Sequence, residues 1–255
     1  MITFLRKIRQ NLLSEGKTRK YLKYAIGEIV LVTIGILIAL QINNWNQNRI
    51  NNNKEVTILN SLKTEFEENS NRYTKTIRFQ KQVVKHMSSL LQCLEKKDIT
   101  FMRDSIGIYI TGGALNYYRA EPVLGTYEAL NGSGDINLIK NELLKSKLAS
   151  FSSEIVQGFE DEIATMDLLN ILTIEFSPSL EPLMLTKYRQ SFGLKNARNT
   201  NVDFQNKTLL KMYQNPNIMT PLMRRILMEN NRLELQNKML KLSKEILELI
   251  DNEIE

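Results

Sequence analysis

Apolar side chains along this chain fall into two kinds of pattern. Residues 24–43, YAIGEIVLVTIGILIALQIN, are apolar almost throughout, with Glu28 and Gln41 the only strongly polar side chains between the ends. Twenty residues make about 30 Å of helix at roughly 1.5 Å per residue, the thickness of a bilayer core. Elsewhere the apolar positions recur at helical spacing. Residues 55–97 contain neither Gly nor Pro, and Leu59, Leu62, Phe66, Tyr73, Ile77, Val84, Met87, Leu91 and Leu94 mark the inner face of a long amphipathic helix. That face is weakest around Asn69–Asn71.

Further along, the spacing predicts a second long helix over Ile136–Phe176. Ser177-Pro178 is expected to end it and to open a short helix to about Gln190. A polar loop over 191–203, a short helix over Asn206–Gln214 and a final helix from about Ile218 follow. Residues 98–134 read as irregular. Phe101–Ile110 is a candidate short helix broken by Thr111-Gly112-Gly113, and Thr126–Leu130 is another. Asn131-Gly132-Ser133-Gly134-Asp135 reads as a turn, with Asp135 expected to cap the next helix.

The final helix carries two apolar rows. Met219, Ile226, Leu233, Leu240, Leu247 and Ile254 repeat every seventh residue, and Met228, Leu235, Met239, Leu242, Ile246 and Leu249 form the second row. At about 100° per residue, Ile226 and Met228 point about 200° apart. Either the helix is central in its bundle, or the second row is a helix–helix partner face on another chain.

Taken together, the patterns predict an all-α protein: one N-terminal transmembrane helix, then a long-helix, mostly antiparallel bundle. The expected divisions are a basic amphipathic segment (1–23), the transmembrane helix (24–45), an Asn-rich connector (46–54) and a helical domain (55–255). No Pro or Gly interrupts residues 43–53, NNWNQNRINNN, so a continuous helix is preferred there over a flexible linker. Only 11 Gly and 5 Pro occur in 255 residues, too few turn residues for a sandwich or barrel.

Charge fixes an expected orientation. Residues 1–23 hold seven basic groups and one acid, Glu15, and so carry the whole net charge of +6; the other 232 residues hold 27 of each sign. A basic flank on one side of an apolar span places that side in the cytoplasm. Tyr24 at the basic end and Trp45 at the other match an aromatic belt. Within residues 2–13, Phe4, Leu5, Ile8, Leu12 and Leu13 share a face opposite Arg6, Lys7, Arg9 and Gln10, as in a helix lying on a membrane surface. No small-x-small pair follows the apolar core, so the segment reads as an uncleaved signal-anchor in an inner membrane, with the domain beyond it periplasmic. With the excess charge confined to that flank, nucleic acid is not an expected partner; the lipid bilayer is, together with a second copy or a membrane-complex partner.

The run FLRKIRQNLLSEGKTRKYLKYAIGEIVLVTIGILIALQINNWNQNR (4–49) resembles the N-terminal signature of an uncharacterised, domain-of-unknown-function family of bacterial membrane proteins common in flavobacteria and their relatives. TYEALNGSGDINLIKN (126–141) is similar to an inner motif of that family. The resemblance implies one N-terminal span and a helical region after it, and brings no activity, substrate or catalytic residue.

Candidate chemistry is sparse. Glu28 sits about 6 Å into the span, within reach of the basic interface. It also shares a helix face with Gly35, and Gly35-x-x-x-Ala39 is a small-x-x-x-small pair that lets helices approach closely. A carboxylate there suits an interfacial ion pair, a helix–helix contact or proton coupling. His86 and Cys93, the only residues of their kinds, are two ligands at most, so no metal site is expected. Glu65, Glu67 and Glu68, and likewise Glu160, Asp161 and Glu162, read as solvated acidic clusters. No nucleophile–base motif, phosphate loop or cofactor fingerprint occurs. The expectation is a non-enzymatic assembly, scaffold or interaction protein without cofactors. The alternatives are a periplasmic sensor or adaptor, and a proton-coupled subunit using Glu28.

Overall fold

The computed structural model describes residues 18–96, 106–157, 162–189, 193 and 210–254. Among them no β-strand occurs. The chain forms α1 (Thr18–Lys96), α2 (Ile106–Tyr109) continued by a π-turn (Ile110–Ala114), α3 (Gly125–Ser133), a 3-10 turn (Asp135–Leu138), α4 (Glu142–Gln157), α5 (Glu162–Arg189) and α6 (Pro216–Ile254). The expected surface helix over 2–13 and the polar loop over 191–203 lie outside the described residues, apart from Gly193.

Two compact units divide the chain, Met1–Thr57 and Ile58–Glu255. In the first, α1 is helical through positions 43–54, as the lack of helix breakers predicts. Side-chain hydrogen bonds add to the main chain there: Gln47 donates to Asn51 at 3.1 Å, Arg49 to Asn46 at 3.3 Å, and the Arg49 guanidinium lies 5.6 Å from the Trp45 ring centre.

In the second unit, α6 is the common partner. It runs antiparallel to α1, with Lys63 paired to Asp251 at 2.7 Å and Gln80 bonded to Glu229 at 3.1 Å. It is also antiparallel to α4, through Lys147–Glu245 and Lys238–Glu154, both at 2.6 Å. And it is antiparallel to α5, where Glu175 meets Asn217 at 3.2 Å and Thr165 meets Arg232 at 2.9 Å. So α4 and α5 cover successive halves of α6 and run in the same direction as α1. That parallel relation requires a return connection, and residues 115–124 supply it as a strap without regular structure.

The core has two apolar clusters. One gathers Leu59, Leu62, Phe66, Tyr73, Ile77, Leu144, Leu148, Phe151, Met239, Ile246 and Ile250. The other gathers Val83, Met87, Leu90, Ile110, Leu172, Phe176 and Leu222. Between them in chain order lie buried polar side chains, described below.

Several local expectations are corrected. Asp135 does not cap a helix. It opens the 3-10 turn behind Gly134, whose φ of 80° suits glycine, and the cap of α4 is Asn141, whose side chain accepts the Leu144 N–H at 2.9 Å. The helix expected from Ile136 therefore starts at Glu142. Pro178 does not end α5, which runs on to Arg189. A mid-helix proline forfeits one hydrogen bond, and here Pro178 and Ile174 are both exposed, so water can serve the freed carbonyl. Gly112 and Gly113 do not break the chain. They form the inside of the π-turn, because only glycine fits against α1: a Cβ on Gly113 would lie 2.8 Å from the His86 Cβ and from the Met87 backbone nitrogen.

The two rows on α6 flank one buried stripe, and both serve this chain's own core. Arg225, Glu229, Arg232, Gln236, Met239, Ser243, Ile246 and Ile250 form one buried stripe. Leu233, Leu240 and Leu247 on one shoulder, and Leu235, Leu242 and Leu249 on the other, pack half-buried against the chain's own core. The helix is central in its bundle.

Candidate functional site

In the first unit, Tyr24, Gly35, Ala39 and Trp45 are exposed and Glu28 is half-buried. Leu22, Ile26, Ile29, Val30, Leu31, Val32, Ile34, Ile36, Leu37, Ile38, Leu40 and Ile42 are exposed on every side of the helix. The most apolar window has a mean hydropathy of 2.3, and none of it is buried. It is the one helix among the described residues long and apolar enough to cross a membrane. A core helix of a soluble protein would hide at least one face. Around Gly35 no atom lies within 4 Å of a built Cβ, leaving that side open to a close neighbour.

In the second unit the unusual feature is an ionic layer on α6. Arg225, Glu229, Gln236 and, on α1, Gln80 are fully buried, and Arg232 nearly so. Their spacing along α6 continues the apolar positions Met239, Ile246 and Ile250, which places charge where a core residue is expected. Glu229 Oε1 accepts from Arg225 at 2.9 Å and from Arg232 at 2.7 Å, while Oε2 accepts from Gln80 at 3.1 Å. Arg232 also donates to Thr165 at 2.9 Å and lies over the Tyr117 ring at 4.5 Å. Gln236 donates to Gln80. Burying charges is costly unless each is paired and hydrogen-bonded, and this layer meets that condition in part: one carboxylate is shared by two guanidiniums, and Arg225 Nε is buried without a hydrogen-bond partner among the described residues.

The layer also holds the strap. Arg225 donates to the carbonyls of Ala114 and Asn116, and Gln236 accepts the Ala120 N–H at 3.0 Å. From α1, Asn69 donates to the Val123 carbonyl at 2.8 Å and accepts its N–H at 2.7 Å, much as a neighbouring strand would. Arg72 donates to the Glu121 carbonyl at 2.8 Å. Glu65 accepts the Thr126 N–H at 2.6 Å, at the N-terminus of α3. Irregular backbone packed inside a protein needs such partners, and here side chains supply what a ladder would. Arg119 of the strap pairs with Glu162, which also accepts from Tyr117 at 3.5 Å. Burial pushes the Tyr117 hydroxyl above its ordinary range, with Arg232 opposing; burial likewise draws Arg225 down, with Glu229 opposing.

Two acidic clusters therefore change meaning. Glu65 is buried and caps α3, while Glu67 and Glu68 are exposed; Glu162 is tied to Arg119, and Glu160 and Asp161 lie outside the described residues. His86 packs against the π-turn, with Tyr109 5.8 Å away between ring centres, and Cys93 is buried. No group of three metal-ligating side chains occurs among the described residues. Met239 and Ile246 of the second row lie in the core, and Met228 accepts a weak hydrogen bond from Thr165 at 3.6 Å. The polar residues of the layer were not singled out from the sequence. The available signal was spacing: Arg225, Glu229, Arg232 and Gln236 stand at the same steps as the apolar residues after them.

A family model described as a family of unknown function, DUF6090, matches residues 28–156. No curated protein matches the chain, and no solved structure does.

Proposed function

Since this chain belongs to the family of unknown function DUF6090, and that membership carries no activity with it, we propose a function from its own residues: a single-pass inner-membrane protein whose helical domain acts outside the cytoplasm as a non-enzymatic assembly or scaffold element. The observation that carries the reading is the helix over 24–43, apolar and exposed on every side, which lipid would cover. The seven basic groups before it favour a cytoplasmic N-terminus, and Tyr24 and Trp45 sit at the two interfaces. Self-association runs through the span, where Gly35 and Ala39 permit close approach and Glu28 shares their face. The shoulders of α6 already pack half-buried against the chain's own core, which favours the span as the seam.

The test is extraction followed by weighing. Membranes from cells expressing the intact chain are washed with alkaline carbonate, then solubilised in mild detergent for native mass measurement. Retention in the pellet and a mass of two or more whole copies support the proposal. Release by carbonate would overturn the membrane reading, and a strict monomer, or a fixed complex with a different protein, would overturn self-assembly.

A further inference from the structure

We infer that the strap, residues 115–124, is a releasable element that opens locally while α1, α4 and α6 stay folded. Its ends are firmly held: Ile110 and Ala114 sit in one apolar cluster, and Leu130 of α3 in the other. Its middle is not. Between Leu115 and Ala129 the one fully buried side chain is Ala120, the smallest available anchor. Tyr118 stacks on Phe79 at 5.1 Å, but both rings are only half-buried. Besides these half-buried side chains and the Arg119–Glu162 pair, the strap is kept down by a row of separate hydrogen bonds from Asn69, Arg72, Arg225 and Gln236 to its backbone. Each such bond has a small net worth because water replaces it on opening. Beneath the strap lie Arg225, Glu229 and Arg232, and their desolvation is relieved when water reaches them. Apart from Ala120, the apolar side chains uncovered on opening, Leu115, Tyr118 and Leu124, are already half-exposed, and three ions are rehydrated, so the strap belongs below the core in the local stability range.

The measurement is amide-resolved hydrogen exchange on the full chain in detergent. The reporters are the bonded amides of Ala120, Val123, Thr126 and Tyr127, read against core amides of residues 83–90 and 239–246. The strap amides of Ala120 and Val123 are expected to exchange at least tenfold faster than the core and with little dependence on denaturant. Gln236→Met should accelerate them about fivefold further, the equivalent of one hydrogen bond. Should that variant fail to fold, Arg72→Ala gives the same test from a half-exposed position. Strap amides that exchange as slowly as the core, with the same denaturant slope, would place the strap in the global folding unit and overturn the inference.

Discussion

The Arg225 guanidinium donates to Glu229 Oε1 at 2.9 Å, and neither side chain has any exposure to solvent. The same oxygen serves Arg232. Replacing the shared acceptor with Glu229→Gln leaves two buried guanidiniums without a counter-charge. The expected loss of unfolding free energy is about 3–5 kcal/mol, the cost of breaking a buried pair by removing one partner. Urea denaturation followed by helical circular dichroism measures it, and a loss below 1 kcal/mol would mean that water already reaches the layer.

Tyr73 carries the opposite expectation. It is fully buried, and its hydroxyl has no hydrogen-bond partner among the described residues. Tyr73→Phe removes a desolvated polar atom and keeps the ring packed edge-on to Phe151. Thermal melts should show stability unchanged or raised by about 1–2 kcal/mol.

Alkaline lability follows from the same residue and from Tyr117. Burial raises both hydroxyls above the ordinary value of about 10. Above that pH the unfolded chain ionises its tyrosines while the folded one resists, so the unfolded state binds fewer protons and stability falls as pH rises. Unfolding midpoints should be flat below pH 9 and drop beyond about 10, less steeply in Tyr73→Phe.

At the π-turn, Gly113→Ala forces a methyl group to within 2.8 Å of the Met87 backbone nitrogen, which cannot rotate away. Overpacking of this kind costs about 1–3 kcal/mol. Gly112→Ala meets the His86 imidazole at 2.9 Å, and a side chain can yield, so its penalty should be smaller. Equal penalties in paired denaturation curves would refute the distinction.

Glu65→Ala removes the carboxylate from the start of α3 and should cost about 1–2 kcal/mol, as losing a helix cap does. Glu67→Ala, exposed on the same helix, should change stability by less than about 0.5 kcal/mol.

Much of this architecture was legible in advance because it rests on periodicity. The long apolar helix over 24–43, the helical stretch over 55–96 and the last helix follow from spacing and from missing helix breakers. What spacing could not show is which polar residue a tertiary partner will claim. Asn69 looked like a weak point in α1, yet it is buried there because Val123 needs both a donor and an acceptor. Glu65 looked solvated because its neighbours Glu67 and Glu68 are. The two rows of α6 looked like faces for two partners because the stripe between them begins with charged residues, and a hydrophobic pattern counts charge as exterior.

The strap is gripped by its peptide groups along most of its length, with Tyr117, Tyr118 and Arg119 adding side-chain contacts. Its spelling is therefore cheap to alter at the remaining positions, whereas its letter count is fixed by the run between the Gly113 contact beside His86 and the Thr126 amide at Glu65. Drift along a lineage should rewrite the strap's other positions more readily than Ala120, Tyr117, Tyr118 and Arg119, and should almost never lengthen or shorten residues 115–124.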